Sequence, residues 1–359
     1  MEGVMDIDGS VLEGGGQVLR MAIAFSVLQR IPVRIFNIRV GRSKPGLSPQ
    51  HLKGLELARE MTDGKLTGAQ QRSMEVTFRP GKLKPGEYLG DTGTAGSISL
   101  LVQLLLPCAL FSSGKTVLDL RGGTNADMAP QIDYTTTVFL ALLKRFGASF
   151  NYDLILRGFY PKGGGKLRVE ISPVKHLSPV EMVEPGSIKR IWGSAYTAGN
   201  CPLVVGKLMA QSAESFLSRR WRSVTPCIEQ RKESQDTAVG TGSGIYIFGE
   251  TTTGCIYAGT ALGKRDVKAE IVGEAAAKEL DKSISLEICV DEHSQDQMII
   301  LMALAKGKSR ILCGPVTLHT KTAIYVAELM TKAKFTIHPQ DKDRNIIECD
   351  GIGFENEAL

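Results

Sequence analysis

Apolar residues recur at helical spacing in several windows of this chain, and a turn rich in glycine or proline precedes most of them. Val18, Met21, Ala22, Phe25 and Leu28 share one face after Glu13-Gly14-Gly15-Gly16-Gln17. The spacing predicts a helix whose start carries three glycines and a carboxylate. Leu52, Leu55, Ala58 and Met61 follow Ser48-Pro49-Gln50-His51, a cap with a first-turn proline. Ile98 to Phe111 is apolar nearly all round after the turn 91–97, which predicts a central helix with Gln103 as its odd polar member. Further helices are expected through Tyr134, Val138, Leu142 and Phe146, over 202–220, 268–280 and 298–305, and from Ala323 to Met330.

Between these windows lie short runs with strand character. They are 33–40, the alternation Met74-Val76-Phe78, 116–120, 152–156, the alternation Leu167-Val169-Ile171, 188–196, 245–248, 255–258, 333–337 and 345–349. Residues 80–90 read as a turn-rich link and 235–244 as a polar loop. Strands and helices alternate, so the fold class is α/β, built from packed layers. The pattern shifts near Pro185-Gly186, and residues 186–282 are expected to form a smaller inserted α/β domain. Residues 1–185 and 283–359 then belong to the larger part.

A chain of 359 residues suits two or three domains. Its 43 basic and 38 acidic side chains leave a charge of +5, compatible with a nucleic-acid partner without requiring one. The run 98–111 is too short to span a bilayer, and the first residues have no apolar signal-peptide core. The expectation is a soluble intracellular protein with no membrane partner. The seven cysteines form no C-x-x-C pair and no H-E-x-x-H is present, which argues against a disulfide scaffold and a structural zinc site.

Several residues carry candidate chemistry. The run 311–313 reaches Gly314-Pro315, and His319 then falls just before or within the first turn of the last helix. Free N–H groups and the positive dipole end there favour a neutral imidazole and welcome a phosphate, and a neutral imidazole is a competent nucleophile. An ordinary structural histidine fits the same pattern. Glu13 beside three glycines suits a divalent cation, or is a solvated carboxylate in a tight turn. Arg39, Arg42, Lys44 and His51 suit phosphates or form a solvated basic loop. Gln103 needs partners, from a neighbouring backbone or from a ligand. Arg157, Lys162 and Lys166, with Phe159 and Tyr160, can grip a nucleic-acid backbone and stack a base, or simply tip an exposed hairpin.

Four segments carry a resemblance: 13–20 (EGGGQVLR), 41–51 (GRSKPGLSPQH), 122–130 (GGTNADMAP) and 157–165 (RGFYPKGGG). Together they resemble the RNA 3'-terminal phosphate cyclase family. The resemblance implies a large domain of three similar units, each a four-stranded sheet with two helices, and a smaller α/β domain inserted before the last unit. It also implies a ligase-class enzyme that uses ATP to convert an RNA 3'-terminal phosphate into a 2',3'-cyclic phosphate. AMP and diphosphate are released, and enzyme-histidine-AMP and RNA-adenylate are the intermediates.

By the same resemblance His319 is the histidine adenylated on its tele nitrogen. Gln103, Pro130, Asp296 and Gln297 line the nucleotide pocket, with His293 where the family usually has a tyrosine. Arg20 and Gln50 are pocket residues, Glu13 holds a divalent metal (Mg2+ or Mn2+), and Arg39, Arg42, Arg157 and Lys162 meet RNA phosphates. Such enzymes are nuclear in animals and cytoplasmic in bacteria, and the leading segment is closer to the animal, nucleoplasmic form. Two other classes remain open. One is a related fold without adenylation chemistry, expected to lack the histidine at 319. The other is a plain RNA-binding module.

Overall fold

The computed structural model describes residues 3–359. The first unit runs β1 (Met5–Asp8), α1 (Gly16–Gln29), β2 (Val33–Phe36), α2 (Pro49–Thr62), β3 (Lys65–Thr67) and β4 (Val76–Arg79). Its strands stand in the order β1-β2-β4-β3, with β1 and β2 parallel and the other neighbours antiparallel. Parallel neighbours need a crossover, which α1 supplies. The second unit repeats this plan with β5 (Gly86–Asp91), α3 (Ile98–Leu110) and β6 (Thr116–Gly122). Its second helix is α4 (Ile132–Tyr134), a π segment over Thr135–Phe139 and α5 (Leu140–Arg145), followed by β7 (Phe150–Gly158) and β8 (Gly165–Ile171). The order β5-β6-β8-β7 is the first unit's order again.

The third unit opens with β9 (Glu181–Met182), and the chain then leaves it. The insert runs β10 (Ile188–Ala198), α6 (Leu203–Arg220), β11 (Cys227–Lys232), β12 (Ala238–Val239), β13 (Gly242–Thr251), β14 (Ile256–Leu262) and α7 (Ala269–Ser285). Its sheet has the order β11-β10-β13-β14, packed against α6 and α7. The third unit resumes with α8 (Gln295–Leu304), β15 (Lys308–Cys313), α9 (Leu318–Met330), β16 (Lys334–Pro339) and β17 (Asn345–Asp350). Since β9 pairs in parallel with β15, this sheet reads β9-β15-β17-β16, the same order a third time. The fold is thus α/β, with three similar units and a smaller α/β block. The chain break expected at Pro185 falls inside the third unit, because that unit takes its first strand from before the insert. In return β12 pairs with β7 and gives the second sheet a fifth strand.

Two local departures have physical causes. The run 33–40 is no single strand: β2 stops at Phe36 because Asn37 and Arg39 both adopt left-handed backbone, φ 54° each. The link 80–90 contains most of β5, whose sequence GEYLGD lacks the alternation of a typical strand. The helices meet at the centre, where α1 packs on α2, α3 and α9, and α8 on α9 and α3. In α3 every side chain is buried except Leu100 and Gln103, which are half-buried. Burying one Leu or Val is worth roughly 1.5–3 kcal/mol, so this helix binds the units together. No helix among the described residues is long and apolar enough to cross a membrane.

Candidate active site

Thr317 caps α9, its Oγ1 accepting from Thr320 N at 3.1 Å. His319 is the second residue of that helix and is exposed. Its Nδ1 lies 3.1 Å from Oε1 of Gln17 in the first turn of α1. Gln17 Nε2 donates at 2.6 Å to Oδ2 of Asp296 in the first turn of α8. Glu13 N donates to Thr322 Oγ1 at 3.2 Å, and Gln295 Oε1 accepts from Thr320 Oγ1 at 3.0 Å. Three helix starts therefore converge on one spot. Each brings unpaired N–H groups and a positive dipole end, a setting made for anions.

The hydrogen bonds also fix the imidazole. A carboxylate only accepts, so Gln17 must turn its amide nitrogen toward Asp296 and its oxygen toward His319. In the neutral ring Nδ1 of His319 then donates, and Nε2 keeps its lone pair. Burial raises the Asp296 carboxyl above its ordinary 3.8, and positive charge on His319 and then on Arg20 works against that rise.

The glycine turn before α1 has a steric reason. A Cβ on Gly15 would overlap the carboxylate of Glu13, and one on Gly16 would overlap Nε2 of His51. Glu13 folds back over the helix start, with its side chain 8% exposed and Oε1 paired with Arg42 Nη2. Its Oε2 is buried without any partner. A buried carboxylate oxygen left unpaired is costly, so the site fits a cation. His51 Nδ1 accepts from Ser48 N at 3.3 Å, so the ring proton is on Nε2, beside Gly16. Burial, with Arg20 and Arg39 nearby, pushes His51 down to about 3, and it is neutral. Burial also lowers Arg20 to about 10, where it still holds its charge at neutral pH. Arg39 Nη1 donates to Gly46 O at 2.8 Å, and Gln50 Oε1 accepts from Ser97 N at 2.7 Å.

Gln17, Arg20, Gln103, Phe139, Asp296, Gln297 and Ile300 line one pocket. Gln297 Nε2 donates to His293 O at 2.5 Å, while its Oε1 is buried with no partner. Pro130 sits half-buried in the loop after β6, outside that lining. The exposed His293 ring stands edge-on to Tyr134 at 6.1 Å, and its Nε2 bonds to Glu279. That carboxylate raises His293 to about 9. Glu279, Glu292 and His293 bring donor atoms within 4.8 Å of one another and could hold a metal ion. Two of these donors are already engaged, Glu292 Oε2 by Lys282 Nζ at 2.5 Å and Glu279 Oε2 by Thr260 N at 2.7 Å.

The hairpin arginine has a different task from the one expected. Arg157 is buried, and both its Nη atoms reach Asp133 at 2.7 Å while Nε reaches Glu233 at 3.1 Å. Its guanidinium carbon lies 5.2 Å from the Tyr196 ring centre. The fork is thus used up joining the second unit to the insert and does not face an RNA phosphate. Lys162, at the hairpin tip, is exposed.

A profile described as RNA 3'-terminal phosphate cyclase matches residues 11–337. The chain is 39% identical over 358 residues to the RNA 3'-terminal phosphate cyclase of Drosophila melanogaster, covering 100% of this chain and 99% of that protein. It is 41% identical over 348 residues to the protein of that name from Pyrobaculum aerophilum, covering 97% and 98%. A probable RNA 3'-terminal phosphate cyclase of Dictyostelium discoideum is 39% identical over 362 residues, covering 97% and 83%. The chain belongs to the RNA 3'-terminal phosphate cyclase family. Membership supports ligase-type enzymatic chemistry of the kind for which the family is named. In this cyclase-family chain the structure brings Gln17 to the candidate site, where sequence reasoning did not place it, and sets His51 beside the helix start at Gly16. Gln17 sits in the quoted segment EGGGQVLR, yet nothing local marks it, because its partners are Asp296 and His319.

Proposed function

We propose that the protein uses ATP to turn an RNA 3'-terminal phosphate into a 2',3'-cyclic phosphate through a histidine-bound adenylate. The observation that carries this reading is the chain Asp296–Gln17–His319, which leaves Nε2 free where three helix starts converge. A phosphate monoester is a poor electrophile, so it must first be activated. Nε2 of His319 attacks the α-phosphorus of ATP, and diphosphate leaves. An oxygen of the RNA 3'-phosphate then takes the adenylate and frees the imidazole. The adjacent 2'-hydroxyl attacks the activated 3'-phosphorus and expels AMP. That last step is intramolecular, so proximity supplies much of its rate.

The pocket of Gln103, Asp296 and Gln297 would receive the nucleotide, and the bare Gln297 Oε1 would accept from a base amino group. Pro130 and His293 are proposed at its margins. Arg20 and Gln50, with Arg39 and Arg42, would bind phosphates. Glu13 would hold a divalent ion (Mg2+ or Mn2+), whose charge would neutralise the triphosphate. The uncommitted Glu13 Oε2 favours this residue over the Glu279–Glu292–His293 cluster. Incubation with α-labelled ATP, then denaturing electrophoresis, tests the scheme. The expected product is a labelled protein whose bond is acid-labile and alkali-stable, and folded His319→Ala should carry no label. Full labelling of that variant would overturn the reading.

A further inference from the structure

A second cleft lies away from the converging helix starts, between the hairpin tip 159–164 and the insert. Its volume is about 1040 Å³, and it is lined in part by Asp127, Tyr160, Lys162, Lys264 and Arg265. We propose that this cleft holds the single-stranded RNA that precedes the 3'-terminal phosphate. The inference rests on the cyclase reading and extends it from the reacting end to the body of the substrate.

Position is the first argument. Gly163 is pressed against the backbone of Thr94, where any Cβ would overlap the carbonyl oxygen. The same turn continues to Gly96, where a Cβ would sit 3.1 Å from Gln50, and to Ser97, whose N–H donates to Gln50 Oε1. The cleft therefore opens beside the wall that carries Gln50. On the cyclase reading, a strand whose 3' end meets Gln50 would have this cleft next to it.

Chemistry is the second argument. Lys162, Lys264 and Arg265 are exposed, and among the described residues none of the three makes an ion pair. Asp127 is the single acid of the lining. Three unpaired cations against one carboxylate, with Asn200, Thr241 and Ser243 in the same lining, suit a chain of phosphates. Tyr160 is 78% exposed beside them. A bare aromatic ring within a basic groove stacks unpaired bases and is of no use to a closed duplex, which favours a single strand. The volume lies at the upper limit of pockets for one small ligand, about 300–1,000 Å³, so it has room for more than the terminal nucleotide.

The test uses the full chain and the double variant Lys264→Ala/Arg265→Ala. Its substrates are a dinucleotide ending in a 3'-phosphate and a long single strand with the same end. The variant should self-adenylate as the wild type does and cyclise the dinucleotide at the wild-type kcat/KM. For the long strand kcat/KM should fall about tenfold with two charge-assisted contacts gone. Its logarithmic salt dependence should become shallower by about 1.4, at roughly 0.7 for each lost phosphate contact on a single strand. Tyr160→Ala should show the same dependence on length with the salt slope unchanged. Equal behaviour toward both substrates in a variant that still self-adenylates would overturn the cleft assignment alone. A polyglutamate peptide competing as well as a 3'-hydroxyl oligonucleotide would overturn the assignment to RNA. Absence of any covalent adenylate on the wild type would instead sink the cyclase reading.

Discussion

Gln17→Met separates a histidine that is merely present from one that is aimed. Methionine keeps the length and burial of the glutamine but neither donates to Asp296 nor accepts from His319 Nδ1. A neutral hydrogen bond is worth about 0.5–1.5 kcal/mol net. At tenfold per 1.36 kcal/mol, the loss on the imidazole side slows attack by about 2- to 12-fold. The freed ring can also put its proton on Nε2, which removes the nucleophile and pushes the effect toward the upper figure. Asp296 loses its partner in the same change, at a stability cost of about 1–3 kcal/mol. The assay is the single-turnover rate of covalent labelling at saturating ATP, beside the urea midpoint. Ring closure of a chemically prepared RNA-adenylate is the control, since that step does not use His319 and should keep its rate. A folded variant that labels at full speed, or one that slows ring closure equally, would refute the aiming role.

Glu13→Gln should slow self-adenylation more than adenylate transfer to RNA, with the deficit shrinking as divalent metal is raised; unchanged rates across the titration would contradict a metal role. A strand ending in a 2'-deoxy 3'-phosphate should accept AMP and stop there, accumulating a phosphatase-resistant end on electrophoresis, because the ring-closing hydroxyl belongs to the sugar. Arg157→Ala should destabilise the fold by about 3–5 kcal/mol, read from denaturant midpoints, since it leaves Asp133 and Glu233 buried without their counter-charge. His51 titrates near 3 in the folded state against 6.5 ordinarily, so the unfolded chain binds the extra proton first. Stability should thus be lost as pH falls from 6.5 toward 3, and His51→Gln should flatten that part of the curve.

The sequence made the helix starts legible because glycine, proline and capping residues act locally. Ser48-Pro49 begins α2 where the pattern places it, whereas α9 starts at Leu318 under a Thr317 cap, five residues before the periodicity from Ala323. Short strands were harder. β9 and β12 are two residues each and exist only because another strand accepts them. His319 was visible as a histidine at a helix start, and the structure adds what holds it. Gln17, 302 positions away in the chain, looks like any polar residue of an amphipathic helix. Arg157 was misread for a similar reason. A basic residue in a glycine-rich hairpin suggests exposure, but its counter-charges come from 24 and 76 residues further off. Both cases turn on pairings that no local window contains.

The meeting of α1 with α9 has a consequence for how the protein is made. Gln17 is synthesised 302 residues ahead of His319. Elongation proceeds at about 5–20 residues per second, so the amino-terminal units exist for many seconds with no imidazole to fill their gap. On the proposed reaction, the nascent chain through that interval has helix starts suited to phosphates and no nucleophile. Under the proposed reaction the two segments act as two halves of a lock, and neither alone carries both the aimed imidazole and the helix start that aims it.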